Sequence, residues 1–291
     1  MMVGKAVVKM NCKIEQLPLI SAIYYALLQT GYEFYSLERD QCFNSIIESY
    51  VGTDAVPPFF SKVKQNTCDV YSYWPRAYIL ETATFYLEED LRGFSDFDSF
   101  QKRILSAANI STEEKDTLLW TWITGFPEAL KQVIDSTAFN RYLKWETEWL
   151  SEQNNRYRDE LRLLDNLLVE CRKNYRPRCQ NIRIVLCPIK CVYSSDYHIS
   201  DDSFIFTSGD MRIDSIIHEF LHTIVHPIIE HEITRIQQKQ YPDVDDSYYL
   251  DGSEQGYKNA FEEYSVRVLT DVVMKQDKLP NLSTFLGQLA D

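Results

Sequence analysis

The segment Ile216–Pro227, reading I-I-H-E-F-L-H-T-I-V-H-P, constrains this 291-residue chain more than any other stretch. His218 and His222 are four residues apart, and Glu219 follows the first of them. On a helix, positions i and i+4 share a face and lie about 6 Å apart along the axis. Two imidazoles so placed can close on one zinc ion, and the carboxylate between them then stands beside the metal position as a general base. Ile216, Ile217, Phe220, Leu221, Ile224 and Val225 surround the polar trio, as a site on a core-facing helix requires. Proline disfavours helix at itself and at the residue before it. Pro227 therefore predicts a helix over Met211–Val225, with Asp210 as its N-cap.

Two histidines do not complete a zinc site. The extended pattern H-E-x-x-H-x-x-G-x-x-H fails here, because Val225 and Ile228 stand where its glycine and third histidine belong. His226 lies eight residues from His218, about 12 Å along the helix, and Zn–N bonds are only about 2.0–2.1 Å. It reads as a helix-end residue complementing the dipole, or as a group behind the ligands. A later carboxylate is needed. The helix predicted over Asn259–Val273 offers Glu262 and Glu263. At about 100° per residue, Glu262 falls nearer the apolar arc of Phe261, Val268 and Leu269, and Glu263 falls outside it with Arg267 and Thr270. Periodicity leans to Glu262 and leaves Glu263 open; Glu230 and Glu232 are further alternatives.

The rest of the chain divides by pattern. From about Leu17 to Lys173 it is mainly helical, with breaks at Val56-Pro57-Pro58 and Phe126-Pro127 and a capping box at Ser111-Thr112-Glu113-Glu114. A long leucine stripe over Leu150–Cys171 reads as core packing. A first strand is predicted over Lys5–Asn11, leading into a helix over Leu19–Thr30, and a helix over Trp74–Leu91. Past Asn174 the pattern changes to short β-branched runs: Ile182–Pro188, Cys191–Tyr193 and Ser203–Ser208. The metal helix follows, then a helical piece through Ile233 and Gln237, a polar loop over Tyr241–Gly256, the Asn259–Val273 helix and a tail punctuated by Pro280. The expected fold is α+β, mostly α. Residues 1–175 form a mainly helical region, and residues 176–291 form a zincin-like core of short sheet, motif helix and second ligand-bearing helix.

The formal net charge of −13 argues against a nucleic-acid partner. The basic run Arg172, Lys173, Arg176 and Arg178 reads as a solvated turn. Seven cysteines, an odd number without C-x-x-C pairs, read as reduced thiols. The apolar run Leu17–Leu28 is too short to span a membrane and follows Glu15 rather than a basic leader. No membrane partner and a cytoplasmic location are expected.

His218–Pro227 together with Glu263-Tyr264-Ser265-Val266-Arg267 resembles the zinc-peptidase-like family DUF4932, of gluzincin type. That family carries an H-E-F-x-H-x-x-x-N-P segment and a later E-Y-x-V-R-A helix. Here His226 replaces the Asn and Val268 the Ala. The opening over Val7–Leu28 resembles the family's start as well, so the likeness spans most of the chain on two short specific motifs. It implies a gluzincin fold with His218, His222 and Glu263 as zinc ligands and Glu219 as catalytic base, and it moves the choice of third ligand to Glu263. Gluzincins of the thermolysin kind carry N-E-x-x-S-D there; this chain does not, so no supporting Asp is implied.

The expected activity is hydrolysis of a peptide or protein substrate, with one catalytic Zn2+. Candidate donors to the developing oxyanion are His198, His231, Tyr248 and Tyr249, with His226 as a supporting group. Phe204–Thr207 is a candidate strand for pairing with an extended substrate. Two rivals stand beside this: a catalytically inactive metal-binding or helical interaction protein, and a zinc hydrolase acting on a non-peptide amide or ester.

Overall fold

The computed structural model describes residues 12–31, 41–50, 56–61, 77–85, 118–179, 181–192, 194–233, 236–250 and 252–290. The strand expected at Lys5–Asn11 and the capping box at Ser111 lie outside them. The described chain is mostly helical, with one small mixed sheet. Among these residues no helix is long and apolar enough to cross a membrane.

The helices are α1 (Pro18–Gln29), α2 (Gln41–Tyr50), α3 (Tyr78–Thr84), α4 (Leu118–Ile134), α5 (Thr137–Arg156) and α6 (Arg158–Tyr175), followed by α7 (Ile213–Glu232), α8 (Glu254–Met274) and α9 (Leu282–Ala290). The strands are β1 (Ile14–Glu15), β2 (Asn181–Leu186), β3 (Asp196–Ser200) and β4 (Ser203–Ser208), in the order β1-β2-β4-β3. β1 and β4 run parallel to β2, and β3 runs antiparallel to β4, outermost among the described strands.

Two apolar clusters form. One joins α1, α3, the end of α4 and the start of α5 to Cys187, Ile189 and Cys191. The other joins the sheet to α6, α7, α8 and α9, and draws Ile14 and Leu150 from earlier in the chain.

Several local expectations are corrected. Pro227 does not end the motif helix; α7 continues through it to Glu232. Proline inside a helix costs about 3 kcal/mol. Against this, Ile216, Ile217, Phe220, Leu221, Val225 and Ile229 are fully buried, each worth about 1.5–3 kcal/mol. Ile229 lies beyond the proline, so continuing the helix keeps its burial. Ile233 and Gln237, expected as helical, lie outside α7. The N-cap is Arg212, and the Asp210 carboxylate instead accepts from the Met211 amide at 2.8 Å. Pro127 likewise lies inside α4, where Phe126 and Leu130 are fully buried. The leucine stripe belongs to α6 together with the end of α5, separated at Tyr157. Cys191 and Val192 are not in a strand, and Tyr193 lies outside the described residues. The strand is Asp196–Ser200, joined to β4 by the tight turn Asp201-Asp202, where Asp201 takes a left-handed φ of 53°. The Pro280 tail folds into α9.

Candidate metal centre

Two antiparallel-packed elements build the site. α7 buries its isoleucine, leucine and phenylalanine face against the sheet, α6 and α9, and the Phe204 and Phe220 rings meet edge to face at 5.4 Å. That leaves His218, Glu219 and His222 on the other face. α8 begins at Ser253, whose hydroxyl accepts from the Gly256 amide at 2.9 Å, a standard N-cap contact. It packs along α7 and brings Glu262 and Glu263 opposite the histidines.

His218 Nε2 and His222 Nε2 lie 3.2 Å apart. Glu263 Oε2 lies 3.5 Å from the first and 3.3 Å from the second. The three atoms make a nearly equilateral triangle. A tetrahedral ion with bonds of about 2.0–2.1 Å holds its ligand atoms about 3.3–3.4 Å apart. The donor set, two imidazoles and one carboxylate, and its spacing therefore fit one divalent ion with a fourth position remaining. It is the one such group among the described residues.

The atoms turned away from that triangle are also held. His222 Nδ1 lies 2.9 Å from Glu262 Oε1, and His226 Nδ1 lies 2.7 Å from Glu262 Oε2. Arg267 Nε donates to Glu263 Oε1 at 2.7 Å, and its Nη1 donates to the Asp243 carbonyl at 2.5 Å. A carboxylate on the far nitrogen of a ligating histidine fixes its tautomer and ring plane. Of the two glutamates, Glu263 reaches the triangle, while Glu262 sits behind it on His222 Nδ1.

The electrostatics follow from this crowding. Burial pushes the His222 imidazole down, but the Glu262 and Glu263 carboxylates on its two nitrogens outweigh it and raise it to about 10. Burial pushes the Glu263 carboxyl up, but His218, His222 and Arg267 hold it well below the usual carboxylate range. Glu262 is likewise held low against burial by His222 and His226.

A cleft of about 1000 Å³ opens over the triangle, lined by His218, Glu219 and Glu263 together with Arg212, Asp243 and Arg267. Glu219 therefore faces the same space as the ligand atoms.

The other sequence candidates lie elsewhere. His198 is buried in a separate cluster, against Glu81 and Thr82. Tyr248 sits on a short 3-10 turn, Asp246–Tyr249, beside a different surface hollow. The Tyr249 hydroxyl accepts from the Tyr241 amide. His231 is exposed in the last turn of α7. His226 is not at a helix end; it supports Glu262. Phe204–Thr207 is paired on both sides, to β2 and to β3, so it has no free edge for a substrate.

Two residues escaped the sequence reading. Tyr197 of β3 lies over His222, its ring within 12° of parallel at 6.3 Å between centroids. Its strand gave little signal: the Asp201-Asp202 turn lacks the glycine of the usual two-residue hairpins, and D-Y-H-I-S sets Asp196 and His198 on one face, where an apolar face is expected. Arg267, four residues after Glu263, is the ordinary helical ion-pair spacing.

No family model, no curated protein and no solved structure matches this chain.

Proposed function

We propose that this protein is a zinc-dependent peptidase of the gluzincin type. In this reading His218, His222 and Glu263 hold one zinc ion and Glu219 moves the proton. The observation that carries it is the 3.2, 3.3 and 3.5 Å triangle of Nε2, Nε2 and Oε2 beneath an open cleft that Glu219 also lines.

A zinc ion bound there supplies Lewis acidity, which polarises an amide carbonyl and acidifies water. Glu219 accepts the proton from the attacking water on its carboxylate and passes it to the departing amine nitrogen. Glu262 and Arg267 keep the ligand side chains in place, by His222 Nδ1 and Glu263 Oε1. Among the described residues β3 is the outermost strand on the side of the sheet beside α7, and its outer side would receive an extended peptide backbone alongside residues 197–200. A peptide or protein is the substrate class that fits such an edge.

The test is digestion of a denatured protein mixture by the zinc-loaded chain, with new termini read by mass spectrometry. New termini are expected from the wild type and none from Glu219→Gln. Cleavage confined to simple esters or non-peptide amides would move the reading to another hydrolase class. Equal cleavage by Glu219→Gln would end it.

A further inference from the structure

A second polar cluster lies on the far side of the sheet from the metal site. Lys190, Glu81, Asp196 and Thr207 are essentially buried and His198 is 4 % exposed. Glu81, from α3, accepts from four donors. Tyr24 Oη and Lys190 Nζ bond its Oε1, while Thr207 Oγ1 at 2.6 Å and His198 Nε2 at 2.8 Å meet its Oε2. Lys190 Nζ also donates to Asp196 Oδ2 at 2.7 Å, and the Thr82 hydroxyl meets His198 Nδ1 at 3.2 Å. The Tyr78 ring stacks on His198 at 4.8 Å. Four elements are tied together here: α1, α3, β3 and β4.

Asp196 and His198 flank Tyr197 on β3. Side chains alternate along a strand, so the pair faces the buried cluster and Tyr197 faces α7. The register agrees: Asp196 pairs with Thr207, also in the cluster, and Tyr197 pairs with Phe206. Tyr197 stacks at 5.7 Å on Phe204, which in turn meets Phe220 of α7. A slip of one residue would exchange the two faces. It would turn Asp196 and His198 toward the aromatic layer and withdraw Tyr197 from His222. The charged cluster opposes that slip, because an unpaired buried charge is strongly unfavourable.

We propose that the buried Glu81–Lys190–Asp196–His198 cluster anchors β3 so that Tyr197 lies against His222, and that the helical part of the chain thereby sets the plane of a metal-binding imidazole. Tyr197 is a positioning residue in this account. It acts through His222, while Glu262 fixes the same ring from Nδ1. The metal-binding part of the inference rests on the zinc reading above; the anchoring part does not.

Both parts are tested with Tyr197→Phe, Tyr197→Leu, Glu81→Gln and the milder Thr207→Val, each checked for folding by circular dichroism. In the metal-free protein, NMR reads contacts and ring-current shifts between Tyr197 and the His222 ring. These are expected to persist in Tyr197→Phe and to be lost or shifted in Glu81→Gln and Thr207→Val. With metal, Tyr197→Leu is expected to weaken zinc about tenfold or more, as removal of a supporting group typically does, and to shift the visible bands of the Co2+-loaded protein. Tyr197→Phe restores both. If Glu81→Gln fails to fold, Thr207→Val decides. Folded cluster variants with an unchanged Tyr197–His222 contact overturn the anchor. A Tyr197→Leu protein with unchanged zinc affinity and Co2+ spectrum overturns the positioning role. Failure of the wild type to take up any metal would instead remove the peptidase reading, and the NMR result would still decide the anchor.

Discussion

Glu262 holds His222 by Nδ1 at 2.9 Å, on the side of the ring away from the nitrogen that faces Glu263. Two successive glutamates therefore grip one imidazole from both sides, in different roles. Glu263→Ala is predicted to abolish stoichiometric zinc binding, since it removes a ligand atom. Glu262→Gln is predicted to keep the site but weaken it about 10–100-fold. Zinc titration against a competing chelator separates the two. Equal effects would contradict the assignment of roles.

Why periodicity leaned to Glu262 is visible in α8. The helix is not one-sided: Phe261, Glu263, Ser265, Val266, Leu269 and Thr270 are all buried. It packs on α7 while the Tyr241 ring covers Phe261 and Tyr264 from another side. An apolar arc locates a ligand-bearing face only when one face is buried, so the choice between adjacent glutamates was beyond that signal. His218, Glu219 and His222 were legible because their spacing is local to one helix turn. The sheet was legible where strands are β-branched, at β2 and β4. β3 was not, because its D-Y-H-I-S sequence places a buried aspartate and histidine where an apolar face is expected. Both prolines misled for one reason, that tertiary burial outweighed a local cost.

Glu219→Gln should leave zinc affinity nearly unchanged, because Glu219 is not one of the three converging ligands. Peptide hydrolysis should fall about 10²–10⁴-fold, the usual worth of a proton-transfer group. Metal analysis alongside steady-state rates checks this. A large loss of zinc would mean that Glu219 has a structural role.

Metal uptake should depend on pH. His222 is raised to about 10 by its carboxylate neighbours, so the metal-free protein carries a proton there at neutral pH. A metal on Nε2 must displace it. Zinc binding is predicted to release about one proton from this site, with affinity rising up to about tenfold per pH unit below that pKa. Calorimetry in buffers of different ionisation enthalpy reads the proton count. An affinity independent of pH between 6 and 8 would contradict it.

Far from the metal, Glu146 of α5 is fully buried and accepts from Gln16, Ser21 and Tyr142 at 2.7–2.9 Å. Burial outweighs those bonds and raises its carboxyl from 4.5 to about 7. The folded state therefore holds this proton more tightly than the unfolded chain. Its contribution is most favourable below the unfolded value, declines as pH rises from 4.5 to about 7, and is level above that. The decline is on the order of 3 kcal/mol. Denaturant melts of wild type and Glu146→Gln across this range should show it only in the wild type. Identical pH profiles would refute it.

Lys190 is the shared cationic partner of Glu81 and Asp196, with no exposure to water. Lys190→Met leaves two buried carboxylates facing each other and should cost about 3–5 kcal/mol, far more than an ordinary surface change. Thermal unfolding reads it, and a loss below about 1 kcal/mol would mean that the cluster is hydrated.

In the proposed peptidase His218, His222 and Glu263 converge on one zinc ion. The most direct measurement of this is zinc stoichiometry by elemental analysis after dialysis, on the wild type and on Glu263→Ala. One zinc per wild-type chain is expected, and essentially none in the variant. A wild type without zinc, or a variant that retains it in full, would contradict it.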